Sequence, residues 1–197
     1  DATDEIWIYG LDGDDIFKVT GDGENPIRIN VIGGEENDIY DFENTRKIKL
    51  YDHKSKENTI TNPKSKKWLV DDYEINTYDP DKRKQSENKI MPQVDYNGDE
   101  GLSLGLKDTY TTYGLTNNPF NTQHRFDASY YFATNGFEVG YSGEFAHIFY
   151  NWNLGIDARY TSPNFALNYF GEGIESENMR DSFGRDYNRV RIEQWEF

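Results

Sequence analysis

The chain has 197 residues, enough for one large domain or two modest ones with cores of their own. Its 21 Lys and Arg against 36 Asp and Glu give a net charge of -15, which disfavours a nucleic-acid partner, and the absence of cysteine excludes disulfides, thiolate zinc sites and cysteine nucleophiles. Mean hydropathy is -0.93, and no run approaches the ~20 apolar residues of a membrane-spanning helix. Barrel strands escape that test, because half of their residues face water or a polar lumen.

The sequence changes character near residue 92. Residues 1–92 hold 9 of the Phe, Trp and Tyr residues and 93–197 hold 22, whereas eleven of the twelve lysines lie in the first stretch. This predicts an Asp/Gly-rich β domain over 1–62, a polar linker over 63–100 with Pro63, Pro80 and Pro92, and a strand-rich region over 101–197. The start, DATDEIWIYG, has no methionine, basic residues or apolar signal core, so the chain reads as an internal or processed segment.

In the first stretch short β-rich runs alternate with turn clusters: EIWIY (5–9), DIFKV (15–19), PIRINVI (26–32), DIYDF (38–42) and RKIKLYD (46–52). GLDGD, TGDGEN and GGEEN between them supply turn residues, and a small antiparallel meander is the natural reading. GLDGDDIFK (10–18) and GGEENDIYD (33–41) each match an incomplete calcium β-roll repeat, with Asp12, Asp15 and Asp38 as candidate calcium ligands. The copies start 23 residues apart, which is not a multiple of nine, so contiguous stacking is not expected and plain turns are favoured over calcium. Adjacent acids on a strand point to opposite faces, so Asp14 with Asp15, Glu35 with Glu36 and Asp71 with Asp72 read as solvated turn charges. His53, His124 and His147 stand alone, and no catalytic constellation or resident cofactor is expected.

The second stretch alternates over long runs. In 125–133 the apolar set is Phe126, Ala128, Tyr130 and Phe132, set against Arg125, Asp127, Ser129 and Tyr131. In 137–146 Phe137, Val139, Tyr141 and Phe145 oppose Glu138, Ser142 and Glu144, and in 151–160 Trp152, Leu154, Ile156 and Tyr160 oppose Asn153, Asp157 and Arg159. Further strands are expected at 101–113, 165–172 and 187–197, with a tight hairpin at Asn135-Gly136.

Runs of about nine to eleven residues exceed ordinary strands and match the length a tilted strand needs to cross hydrocarbon. The fold class expected is therefore all-β: a small antiparallel β domain followed by about six antiparallel transmembrane strands. Phe126, Tyr130, Phe132, Phe137, Val139, Tyr141, Trp152, Leu154, Ile156 and Tyr160 are the candidate lipid-facing residues. Arg125, Asp127, Glu138, Glu144, Asp157 and Arg159 are the candidate lumen-facing ones. Six strands cannot close, so outer-membrane lipids and the missing strands of the barrel are the expected partners. If the short turns are periplasmic, strand 101–113 rises from the periplasm and the first domain is periplasmic. A soluble sandwich with one wet face produces the same alternation.

MPQVDYNGDEGLSLGL (91–106) resembles the entry into the barrel of the bacterial surface-antigen superfamily, which includes the BamA and TamA assembly and translocation factors. DARYTSPNFALNYFGEGIESEN (157–178) and DYNRVRIEQWEF (186–197) resemble a strand, extracellular loop and strand of its Bacteroidetes branch, and WIYGLDGDDIFKVTGDGENPIRINVIGGEENDIYDF resembles the β-rich region before the barrel. The resemblance implies a Gram-negative outer-membrane protein that inserts or translocates outer-membrane proteins or surface lipoproteins, those proteins being its partners. It also implies an upstream calcineurin-like phosphoesterase region. In such a barrel the first strand, 101–113, lies at a weakly sealed seam. The family's lumen-loop arginine motif, POTRA repeats and phosphoesterase metal motifs are absent from these residues, so no catalytic residue is carried over. The same strands serve a passive pore or adhesin barrel, and the first stretch alone fits a calcium-binding β module of a secreted protein.

Overall fold

The computed structural model describes residues 3–24, 26–98, 100–149, 152–169, 172, 179–184 and 187–197. The chain is mostly β and divides into two compact units, Asp1–Lys82 and Arg83–Phe197.

The first unit holds β1 (Glu5–Leu11), β2 (Ile16–Val19), β3 (Arg28–Gly34), β4 (Ile39–Phe42), β5 (Ile48–Asp52), β6 (Thr59–Ile60) and β7 (Lys66–Leu69). They do not form the antiparallel meander expected from the sequence. Every pair is parallel, in two sheets ordered β1-β3-β5-β7 and β2-β4-β6. The chain therefore winds as a solenoid that contributes one strand to each sheet per coil, Glu5 pairing with Arg28, Ile29 with Ile48 and Lys49 with Lys66. Alternation specifies which side chains point inward but not whether the partner strand is next in sequence or a coil away. Gly and Asp clusters serve a coil corner as well as a hairpin.

Inward residues of both sheets make one core of Val31, Tyr40, Phe42, Ile48 and Leu50, flanked by Phe17, Val19, Ile29, Ile60 and Leu69. Equivalent positions stack from coil to coil, the Phe17 ring lying on that of Tyr40 at 5.3 Å between centroids. Burial of each large side chain contributes about 1.5–3 kcal/mol. Outside the sheets, the short helix α1 (Tyr73–Asn76), capped by Asp72 accepting from Glu74 N–H, buries Ile75 and contacts β3 and β5.

Residues 63–100, expected as a linker, carry β7, α1 and β8 (Glu87–Asn97). Lys66, Lys67, Lys89 and Pro92 are tolerated because β7 and β8 are edge strands, where a charge or a missing N–H costs little, and Pro63 and Pro80 lie in turns. With β9 (Gly101–Thr112), β10 (Thr122–Tyr131), β11 (Gly136–Phe149), β12 (Trp152–Asn168) and β13 (Arg189–Glu196), β8 forms a six-stranded antiparallel sheet in sequence order. A short helix, α2 (Arg180–Phe183), lies between β12 and β13.

Three details differ from expectation. Strand 101–112 is not outermost, since β8 pairs with it from Glu87↔Thr111 to Asn97↔Gly101. The strands expected at 151–160 and 165–172 are one strand, β12, whose register against β13 shifts between Thr161 and Phe165, where Pro163 has no N–H to give the ladder. The tight turn expected at Asn135-Gly136 is instead the connection 132–135: Asn135 takes the left-handed conformation (φ 52), and Gly136 opens β11 opposite Tyr131. Most of the long connection expected at 173–186 lies outside the described residues.

Candidate functional site

Residues directly opposite in an antiparallel pair project to the same side, so the registers define two faces of the six-stranded sheet. One carries the row Val94, Leu104, Tyr130, Phe137 and the row Pro92, Leu106, Ala128, Val139, Tyr160, Trp195. The other carries Gln93, Gly105, Ser129, Glu138, Thr161, Gln194 and then Lys107, Asp127, Gly140, Arg159, Glu196, with Met91 of the edge strand the apolar exception opposite Lys107. The division between apolar and polar thus holds across strands as well as along them.

The register places Phe126, Tyr130, Phe137, Val139, Tyr141, Leu154, Ile156 and Tyr160 on the apolar face. Trp152 continues that alternation opposite Phe149, and Phe132, just beyond β10, packs its ring on Tyr130 at 5.1 Å. These side chains are not covered: Leu106 and Phe126 are 50% exposed, Leu154 46% and Ile156 45%. Rings run along the face, Phe126 and Tyr141 meeting near its middle with centroids 5.0 Å apart. Phe137, Tyr160 and Trp195 form a chain with centroids 5.8 and 4.4 Å apart, and His124 meets Tyr110 and Phe145 at 6.5 and 5.4 Å. Leu106, Ala128 and Val139 share a row with Tyr160 and Trp195.

The polar face brings its six predicted residues together in three groups. Arg125 donates to Glu144 at 3.2 Å, with Gln123 as a second acceptor. Glu138 accepts from the Tyr131 hydroxyl at 2.8 Å. Asp127, Asp157 and Arg159 line a shallow pocket of about 430 Å³ with Gly140 and Ser142. Gly140 leaves the room Asp127 occupies, since a Cβ there would fall 2.6 Å from its Oδ1. One residue escaped the sequence reading: Asp108 stands on the apolar face between Ile90 and Phe126, its Oδ1 buried without a hydrogen-bond partner among the described residues. Continuing the parity of Leu102, Leu104 and Leu106 would have found it.

In the solenoid, Asp12 is exposed at a corner, while Asp15 and Asp38 stack one coil apart. The 23-residue offset that argued against stacking is one full coil. Their oxygens serve the backbone: Asp38 Oδ1 accepts Asp15 N–H at 2.8 Å, and Asn58 Oδ1 accepts Asp38 N–H at 2.8 Å. No group of three or more His, Cys, Asp or Glu arranged for a metal occurs among the described residues.

Asp38 is 1% exposed, and its Oδ2 turns inward at Gly33 toward the Tyr40 hydroxyl and Asp52 Oδ2, whose own hydrogen bond is 2.6 Å. Burial, then the nearby Asp52 and Asp15, pushes the Asp38 carboxyl up to about 6 against the lowering effect of Asp15 N–H. Burial also raises Asp52, opposed by donors from Tyr40, His53 and Asn58, and it holds the Tyr40 hydroxyl protonated far above its usual range. Asp15, expected as a solvated turn charge, likewise buries its Oδ2, beneath Gly10.

No protein-family model matches this sequence, and neither the curated proteins nor the solved structures contain a match.

Proposed function

We propose that the six-stranded sheet belongs to an outer-membrane β-barrel of the assembly and translocation type, which inserts or translocates outer-membrane proteins or surface lipoproteins in a Gram-negative envelope. The observation that carries this reading is the apolar face, continuous over neighbouring strands, uncovered among the described residues and rich in aromatic rings. Water penalises so large a patch and a bilayer rewards it. The 12 residues of β9 extend ~41 Å, or ~29 Å along the normal at a 45° tilt, which matches a hydrocarbon core. β8 and β13 keep open edges, and the remaining strands of the barrel lie outside this sheet.

The orientation follows from the connections. Residues 169–188, the longest, leave the sheet at the same end as 98–100 and 132–135. Long loops of these barrels are extracellular. The short turns at that end are then extracellular too, the reverse of the sequence-based assumption, and the chain enters β8 from the periplasm, where the first unit resides. The seam strand is β8 instead of 101–113, and its open edge offers main-chain groups to an incoming strand.

The native full-length protein is expected to fractionate with outer membranes and to need detergent; a monodisperse detergent-free monomer removes the barrel reading. Reconstituted in liposomes, it is expected to speed the folding of an unfolded outer-membrane protein severalfold over empty vesicles. Folded barrel without acceleration leaves a passive pore.

A further inference from the structure

On the side of the β1-β3-β5-β7 sheet turned away from the core, Lys49 stands directly opposite Lys66 and Tyr51 directly opposite Trp68. Like charges facing each other across a strand pair are destabilising, and a chain with 36 acids to 21 bases has carboxylates to spare for separating them. None is used so. Burial and then the Lys66 ammonium hold the Lys49 amine below the usual lysine range, with no carboxylate opposing them among the described residues. The charge is also fixed in place: Lys49 Nζ lies 4.6 Å from the centre of the Tyr51 ring and 4.8 Å from that of Trp68, two cation–π contacts. Tyr51 is 5% exposed and makes a rigid floor. Trp68 is 45% exposed and Lys66 is open to solvent, so the group can be reached from outside. A locally unfavourable arrangement that the fold holds rigid is where function is to be sought.

We propose that Lys49, Lys66 and Trp68 form a binding site for an organic phosphomonoester, its oxyanion between the two ammonium groups and its carbon skeleton against the indole. Lysine meets phosphate as a point charge, and a phosphomonoester carries nearly two negative charges at neutral pH. One ligand therefore relieves both lysines, where a carboxylate relieves one. The exposed indole face accounts for the organic part, since an inorganic anion leaves it unused. The same chemistry is offered by the phosphomonoester headgroup of a lipid and by a free phosphorylated compound. Lying wholly in the first unit, the site is independent of what the six-stranded sheet does.

Acetylation of lysines on the native full-length protein, read by mass spectrometry, tests this. Millimolar phenyl phosphate is expected to slow labelling of Lys49 and Lys66 severalfold and to leave Lys18, on the other sheet, unchanged. Inorganic phosphate is expected to protect more weakly, a difference that Trp68→Ala removes. Lys66→Ala is expected to weaken phenyl phosphate at Lys49 about tenfold, the worth of one charge-assisted hydrogen bond, while Lys66→Arg retains it. Slow amide exchange of β5 in each variant shows that the solenoid is still folded. Protection by bilayers containing phosphatidic acid, without soluble ligand, assigns the site to a lipid headgroup, and protection by soluble phosphate alone assigns it to a free compound. Labelling that neither slows overturns the proposal. So does equal protection by sodium chloride at the same ionic strength, which means screening, or by benzoate, which means no preference for a dianion. Protection that survives Lys66→Ala undiminished overturns it as well, because the anion then sits elsewhere.

Discussion

The two units of this chain use the same alternation of apolar and polar residues and do opposite things with it. In the solenoid, the two sheets turn their apolar sides toward each other, so that Val31 and Leu50 are 2% and 0% exposed. In the six-stranded sheet the apolar side meets no protein among the described residues, and residues of the same type stay nearly half exposed. Period two thus states that a strand has two sides, and it is silent on what covers them. The cover follows from the path of the chain in the first unit and, in the reading proposed above, from the bilayer in the second.

The sharpest break of that comparison lies in three consecutive residues of β12. Leu154 and Ile156 are on the apolar face opposite Phe145 and Gly143, whereas Gly155 is on the polar face opposite Glu144, with no atom within 4 Å of a Cβ added to it. Leu154→Arg or Ile156→Arg is expected to destabilise the full barrel by about 2 kcal/mol, the low end of the ~2–4 kcal/mol cost of a lipid-facing cation, because they are the third and fifth residues of the 17-residue β12 and lie off the midplane. Gly155→Arg is expected to cost less than about 0.5 kcal/mol, since it meets open space and a carboxylate across the strand pair. Folding titrations in detergent or liposomes measure all three, and equal penalties at 154 and 155 sink the assignment of faces.

Those face assignments were legible in the sequence because they depend only on parity. The registers put the strand residues of the two sets on opposite sides of the sheet, and what either side meets is a matter for experiment. The parallel pairing of the first unit was not legible. Its coils tighten from 23 residues (Glu5 to Arg28) to 19 (Ile29 to Ile48) and 17 (Lys49 to Lys66), so no fixed period marks the repeat. β8 was hidden for another reason: Pro92 and the flanking charges are what an edge strand accepts, and they read as linker composition. The inward turn of Asp15 and Asp38 was also unforeseen, because their burial depends on the absent Cβ of Gly10 and Gly33 one strand away.

Buried charge gives the next test, since the solenoid hides the carboxylates of Asp38 and Asp52 in its interior. A carboxyl raised to about 6 in the fold, against ~3.9 unfolded, takes up its proton in the native state first. Stability from this group is therefore greatest below pH 4 and lost as pH rises through about 6, the opposite of an ordinary salt-bridged aspartate. Asp38→Asn keeps the acceptor for Asp15 N–H and removes the charge. It is expected to raise solenoid stability at pH 7.5 by about 2 kcal/mol and to flatten the decline between pH 4 and 7. Urea midpoints read from protection of residues 28–52 check this. A variant that is no more stable at pH 7.5, with the slope unchanged, shows that Asp38 is ionised and well solvated.

The smallest effect belongs to Arg125 and Glu144 on the polar face, and it reports on what fills the space before them. Their side chains are 39% and 46% exposed, and the pair is 3.2 Å apart. If that face lines a water-filled lumen, solvent screens the attraction much as at a free surface, and a double-mutant cycle with Arg125→Ala and Glu144→Ala is expected to give a coupling of about 0.2–1 kcal/mol. Raising salt to 1 M shortens the screening length to about 3 Å and is expected to remove most of that coupling. A lumen plugged by protein excludes both water and salt, so the coupling then exceeds about 1 kcal/mol and persists at 1 M. The two outcomes separate an open polar interior from a packed one without any need to know the number of strands that complete the barrel.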